Sequence, residues 1–231
     1  MAADFNYHGD VVVFDLDDTL FRERDYCRSG FRVIERRLLS EVGESFAGIA
    51  AGMDRILTAR GNYFDMLQQR LEAIGRADMM PSLVGDYRSH IAENLQMAEG
   101  VAPLLDALAS RGVVMAIVTD GRSATQRAKI KSLGLDRYVH PDNIVISEES
   151  GSDKSVADNF SHIVDRYPEA RRFYYVADNE RKDFMMPNLL GWITCRVAYD
   201  DDNVHPDFQA EDPLCSPSLR LQSIASLLDL I

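Results

Sequence analysis

Cysteine is scarce in this chain. Only Cys27, Cys195 and Cys215 occur among 231 residues, an odd number, widely separated and without metal-ligand spacing. They read as reduced, mostly buried thiols of a cytoplasmic protein rather than as a disulfide framework or a zinc site. Positive charge is also in deficit: 25 Lys and Arg face 37 Asp and Glu, a formal net charge of -12. Such a balance argues against a broad nucleic-acid surface or an anionic membrane as partner, while leaving room for a small anion held by a local cation or metal. No apolar run approaches the length of a membrane span, and the opening MAADFNYHGD lacks a basic stretch followed by an apolar one. Internal repeats and low-complexity segments are missing as well. A soluble globular enzyme or binding protein is what remains.

Short apolar runs rich in β-branched residues appear at Val11–Phe14, Val113–Val118, Asn143–Ile146, Phe173–Ala177 and Trp192–Val197. Helical patterns separate them at Pro103–Arg111, Ser123–Leu133, Asp153–Tyr167 and Arg181–Leu190, and Leu221, Ile224, Leu228 and Ile231 predict a last helix. Strands alternating with helices predict an α/β fold, a doubly wound parallel sheet covered on both faces. About eighty residues without strand signal follow the first strand, too many for a loop. Four helical repeats fill them: Phe31, Ile34, Leu38 and Val42; Ile49, Met53 and Ile56; Phe64, Leu67, Leu71 and Ile74; Leu83, Tyr87, Ile91 and Leu95. The expected organisation is a core of residues 1–21 and 99–231 interrupted by an all-α domain at 22–98. The acidic, proline-containing segment from Asp200 to Ser218 reads as an irregular surface loop.

Ligands of open parallel sheets bind beyond the carboxyl ends of the strands. Asp15, Asp17 and Asp18 follow the first strand, Thr119 and Asp120 end the second, Lys154 follows the third on the opening turn of a helix, and Asp178 and Asp183 follow the fourth. Asp15 and Asp17 sit one residue apart and point to the same side of extended backbone. Asp15 and Asp178 can offer hard oxygens to magnesium. Asp15 could then attack a phosphoryl group, with Lys154 as a point charge, the Thr119 hydroxyl and the amides near Asp120 and Gly121 on the phosphoryl oxygens, and Asp17 exchanging a proton with the leaving alcohol. Asp18 reads as solvated or capping. Arg22, Arg24 and Arg28 read as an exposed charge run. His8, His90, His140, His162 and His205 show no metal spacing and suit surface or satisfied core positions.

DLDDTLF, IVTDGR, ESGSDKSVADNF and YVADNERKDF, in this order, resemble the four motifs of the haloacid dehalogenase-like hydrolase superfamily, in its phosphatase-type branch with a helical cap inserted after the first strand. The resemblance implies Asp15 as nucleophile and Asp17 as acid and base, with the Asp17 carbonyl also on magnesium. It implies phosphate binding by Thr119, the Asp120 backbone and Lys154, and metal binding by Asp178 with Asp183 in support. Ser155 and Ala177 depart from the proline and glycine common at those positions. The implied activity is magnesium-dependent hydrolysis of a small phosphorylated metabolite through an aspartyl-phosphate. PNLLGWIT adds a weak pointer to small metabolites. Alternatives at this stage are a phosphosugar mutase of the same fold and a non-catalytic phosphoacceptor or binding domain. A true dehalogenase is disfavoured because that branch keeps no aspartate at the position of Asp17.

Overall fold

The computed structural model describes residues 7–199, 203–204 and 208–231. Its centre is a six-stranded sheet in the order β3-β2-β1-β4-β5-β6, with every neighbouring pair parallel. The strands are β1 Asp10–Phe14, β2 Val114–Thr119, β3 Ile144–Ile146, β4 Arg172–Ala177, β5 Ile193–Arg196 and β6 Leu219–Arg220. β1 lies between β2 and β4, with Val11 opposite Val114 and Phe173. Side chains alternate across a strand, and here the alternation feeds two cores. Val12 and Phe14 pack on the side of α5 (Val101–Ser110) and the 3-10 helix Ile224–Asp229. Val11 and Val13 pack on the other side against Phe160 and Ile163 of α8 (Asp158–Arg166), Phe184 and Trp192. These four apolar residues of β1 are fully buried, each contributing about 1.5–3 kcal/mol. That anchors the strand whose end carries Asp15.

The insert forms α1 Glu23–Glu41, α2 Ile49–Thr58, α3 Tyr63–Glu72 and α4 Met80–Ser89. Phe31, Ile34 and Leu38, Ile49 and Met53, Leu67 and Leu71, and Leu83 make a third cluster separate from both sheet cores. Gly30 lets α1 approach α4, since a Cβ there would overlap the Tyr87 ring. Several expected insert contacts differ. On α2 Leu57 rather than Ile56 is buried beside Ile49 and Met53, Ile74 and Ile91 are exposed, and Leu95 packs with the sheet core because the chain has left α4 and is returning. Outgoing and returning chains run side by side, with an antiparallel bridge between Phe21 and Met97 and the Ala98 N–H donating to Leu20 O at 3.0 Å.

Other differences have local causes. The helix expected from Asp153 starts only at Asp158, because Asp153 accepts the Ser155 N–H and Asp120 accepts the Lys154 N–H. Such side chains compete with helix formation. Lys154 therefore sits in a turn. The helix expected from Arg181 shrinks to α9, Met185–Leu189, since Asn179 and Asp183 accept the Arg181 and Asn179 amides respectively. The last helix is a 3-10 segment whose final carbonyls go to the Arg111 and Tyr174 side chains. α6 (Ser123–Ser132) and α7 (Ser147–Ser150) are the remaining α-helices among the described residues. Among the described residues no helix is long and apolar enough to cross a membrane.

Candidate active site

Four strand ends deliver the chemistry. Asp15 directly follows β1, its N–H still pairing with Val176 O at 2.9 Å. Thr119 closes β2, with Asp120 next, and Asp178 follows β4. Lys154, beyond β3, reaches inward with 1% of its side chain exposed and donates to Asp15 Oδ1 at 2.7 Å and Asp183 Oδ1 at 2.6 Å. The other Asp183 oxygen accepts the Asn179 N–H at 3.0 Å. Lys154 stays protonated: burial opposes its charge, but Asp15 and Asp183 outweigh it and raise its pKa well above the ordinary value.

Asp15, Asp178 and Asp183 bring carboxylate oxygens within 4.8 Å of one another. Burial pushes the Asp15 carboxyl up to about 6, with Lys154 pulling down and Asp183 pushing further up. Burial, then Asp183 and Asp15, raise Asp178 well above the usual carboxylate range. One ammonium thus does not balance three buried carboxylates. An all-oxygen, charge-rich donor set of this kind fits a hard divalent cation such as magnesium.

The Asp17 carboxylate turns toward α6. Lys129 Nζ donates to Oδ1 at 2.6 Å and Gln126 Nε2 to Oδ2 at 2.8 Å. Gln126 Nε2 also donates to Thr119 Oγ1 at 2.7 Å. A cavity of about 110 Å³ opens between these groups, walled by Asp15, Asp17, Asp18, Asp120 and Asp178, with Glu23 from α1 and Lys182 at its sides. Thr119, Lys154 and Asp183 are buried and do not line it. Burial and the nearby Asp17 push Glu23 up to about 8, against the pull of Lys129.

Some expectations change. The Gly121 N–H is taken by Ser147 Oγ at 2.9 Å and is not open to a ligand in this arrangement. Arg22, Arg24 and Arg28 are no exposed run: Arg22 donates to Tyr199 O at 2.8 Å, Arg24 is buried, and Arg28 pairs with Asp54 at 2.9 Å. Asp18 is capping, as expected of one of its two readings: at φ +50 it accepts the Glu23 N–H and, from the other oxygen, the Val204 N–H. Asn203, in the segment read as a surface loop, reaches the site and donates to Asp178 Oδ2 at 3.2 Å. His90 is a core histidine bonded to Tyr87 O, whereas His205 lies outside the described residues. All three thiols are free, Cys27 and Cys195 buried and Cys215 half-buried. Ala177 is fully buried at the end of β4, and Ser155 closes a turn on Asp153. Gln126, Lys129 and Asn203 carry no functional signal in the sequence. A Gln and a Lys three apart on a polar helix look like ordinary solvated residues.

Residues 10–191 match the model of the haloacid dehalogenase-like hydrolases. The chain belongs to that family. A ribulose-1,5-bisphosphate 5-phosphatase of Halopiger xanaduensis is 27% identical over 210 residues, 82% of this chain and 84% of the relative. Among solved structures, the HAD hydrolase YfnB of Bacillus subtilis, bound to magnesium, superposes with a TM-score of 0.64 at 17% identity, covering 96% of this chain and 98% of its own. A predicted phosphoglycolate phosphatase of Haemophilus somnus superposes with a TM-score of 0.65 at 16% identity over 96% and 97% of the two chains. At these identities the structural likenesses speak for the HAD fold.

Proposed function

We propose that this hydrolase is a magnesium-dependent phosphatase of a small phosphorylated metabolite. The observation that carries the reading is Lys154, buried between Asp15 and Asp183, whose carboxylate oxygens lie within 4.8 Å of one another and of that of Asp178. A carboxylate on a cavity wall, held by an ammonium and crowded by further carboxylates, is suited to attack an anionic phosphorus centre. The phosphatase relative and the magnesium in YfnB support it. Asp15, Asp178 and the Asp17 carbonyl would hold the ion, which when bound neutralises phosphoryl charge. Asp183, whose two oxygens already accept hydrogen bonds, suits the supporting position.

Asp15 attacks phosphorus and the alcohol leaves, giving an aspartyl-phosphate. Lys154 keeps the attacking carboxylate oriented and offsets charge on the phosphoryl group. Thr119 donates its hydroxyl proton to a phosphoryl oxygen, and Asp120 shapes the loop by accepting the Lys154 N–H. Asp17 gives the departing alcohol its proton and takes one from the water that cleaves the acyl-phosphate. Residues 22–98 act as a cap on a core of 1–21 and 99–231, joined through the paired chains at Phe21 and Met97. Because a 110 Å³ cavity has room for a phosphoryl group and little else, the cap must open for substrate and favours small soluble ones. Free and mostly buried thiols suit a reducing, cytoplasmic setting.

The test is hydrolysis of an aryl phosphate with and without magnesium. Activity should vanish on chelation and return with the ion. Full turnover after complete chelation contradicts the reading.

A further inference from the structure

The geometry points to Lys182 as the residue that selects substrates by charge, holding a second anionic group, a carboxylate or a phosphate, on the part of a phosphomonoester that lies outside the phosphoryl cavity. This rests on the reading under Proposed function. Among the described residues seven line the cavity, of which six are acids and Lys182 is the one cation. Two other lysines come close but are engaged elsewhere. Lys154 is 1% exposed between Asp15 and Asp183, and Lys129 is 4% exposed with Nζ 2.6 Å from Asp17 Oδ1. The Lys182 side chain is 45% exposed, and the carboxylate oxygen nearest to its Nζ among the described residues, Asp120 Oδ2, is 4.0 Å away. That distance is beyond a hydrogen bond. Its three N–H donors are therefore open to a ligand.

The place of Lys182 on the wall decides which part of the substrate it meets. The Asp15 side chain is 5% exposed against 45% for Lys182, so the cavity runs from a closed end at the attacking carboxylate to an open side at this lysine. A phosphoryl group in reach of Asp15 fills the 110 Å³, and the rest of the ester extends toward the open side, between Lys182 and Glu23 of α1. An anionic substituent there faces a wall of acids, and like charge rejects it unless a cation stands opposite. Lys182 is that cation. Lys182 is a specificity residue, and the substrates it favours carry two anionic groups.

Three ligands on one skeleton read the charge: glycerol 3-phosphate, 3-phosphoglycerate and glycerol 1,3-bisphosphate, whose far ends are neutral, a carboxylate and a phosphate. Each serves as a competitive inhibitor of aryl phosphate hydrolysis by the magnesium-loaded parent, Lys182→Gln and Lys182→Arg, at fixed free magnesium. At least one anionic ligand should inhibit the parent about five- to thirtyfold more tightly than glycerol 3-phosphate, above the effect of an exposed ion pair and below the full effect of a hydrogen bond between charged groups. The tighter of the two tells carboxylate from phosphate. The preference should vanish in Lys182→Gln, return in Lys182→Arg and shrink as salt rises. If Lys182→Gln weakens all three ligands equally, the ammonium acts on the phosphoryl group they share, and the inference is overturned. Equal inhibition of the parent by all three, inhibition by none, a preference that survives in Lys182→Gln, or a loss that Lys182→Arg does not restore also overturns it. Each of these results leaves the phosphatase reading standing, because the aryl phosphate is still hydrolysed. A parent enzyme that does not hydrolyse the aryl phosphate overturns both.

Discussion

Replacing Lys154 with methionine keeps most of the side-chain volume and removes one charge from a place where charge is hardest to do without. The ammonium has 1% exposure, and its partners Asp15 and Asp183 have 5% and 0%, at 2.7 and 2.6 Å. Two hydrogen bonds to charged groups at about 1.5–3 kcal/mol each bracket the loss at about 3–6 kcal/mol. Breaking one side of a buried ion pair independently suggests about 3–5 kcal/mol. With about 2–4 °C per kcal/mol for a chain of this size, a loss near 4 kcal/mol lowers Tm by about 8–16 °C. The variant also leaves Asp15, Asp178 and Asp183 facing one another with no ammonium between them. If those carboxylates form the metal site, magnesium should raise Tm more in Lys154→Met than in the parent, because the ion then supplies the missing positive charge. Thermal melts by circular dichroism, with and without magnesium, measure both effects. A Tm loss below about 2 °C, or a magnesium shift no larger in the variant, refutes the reasoning.

Asp17→Asn should slow enzyme phosphorylation by an alkyl phosphate about 10²–10⁴-fold and by nitrophenyl phosphate far less, since nitrophenolate leaves without a proton; rapid-quench rates that fall equally for both would remove Asp17 from that role. At the opposite end of β1, Asp10 is 1% exposed and bonded by Arg171 and Arg172. Burial raises its pKa, but the two guanidinium hydrogen bonds prevail and hold it below the ordinary value. Its stabilisation is therefore complete above the unfolded value of about 3.9 and fades as pH falls through the lower folded one. Asp10→Asn should cost about 1–3 kcal/mol, with a Tm gap from the parent that is constant between about pH 6 and 8 and closes in stronger acid; a gap that persists there contradicts the ion-pair account. Replacing residues 22–98 by a short linker should leave a core that turns over an aryl phosphate but loses discrimination among metabolites, and an unchanged substrate ranking would show that the insert does not select.

The sheet was legible because VVVF, VMAIV and FYYVA are unbroken apolar runs, as strands buried on both faces must be. Asp15, Thr119 and Asp178 were legible for the same reason: each is the first polar residue after such a run, with Asp120 next to Thr119. What escaped were contacts made at long range by residues with ordinary local patterns. Lys129 reaches Asp17 across 112 positions and Asn203 reaches Asp178 across 25, and nothing in their neighbourhoods departs from a solvated helix or an acidic loop. The helices overshot where Asp153, Asn179 and Asp183 capture backbone amides, an effect that periodicity does not carry. β6 is two residues long, and its pairing with β5 left no apolar run to read.

The central claim is that phosphate passes through Asp15. Stopping the magnesium-loaded enzyme in acid during turnover of a ³²P-labelled aryl phosphate, then locating the label by peptide mass spectrometry, tests it directly. The account predicts an acid-stable, base-labile label on the peptide carrying Asp15, absent in Asp15→Asn. Label on another residue, or an Asp15→Asn enzyme that is labelled and turns over as the parent does, contradicts it.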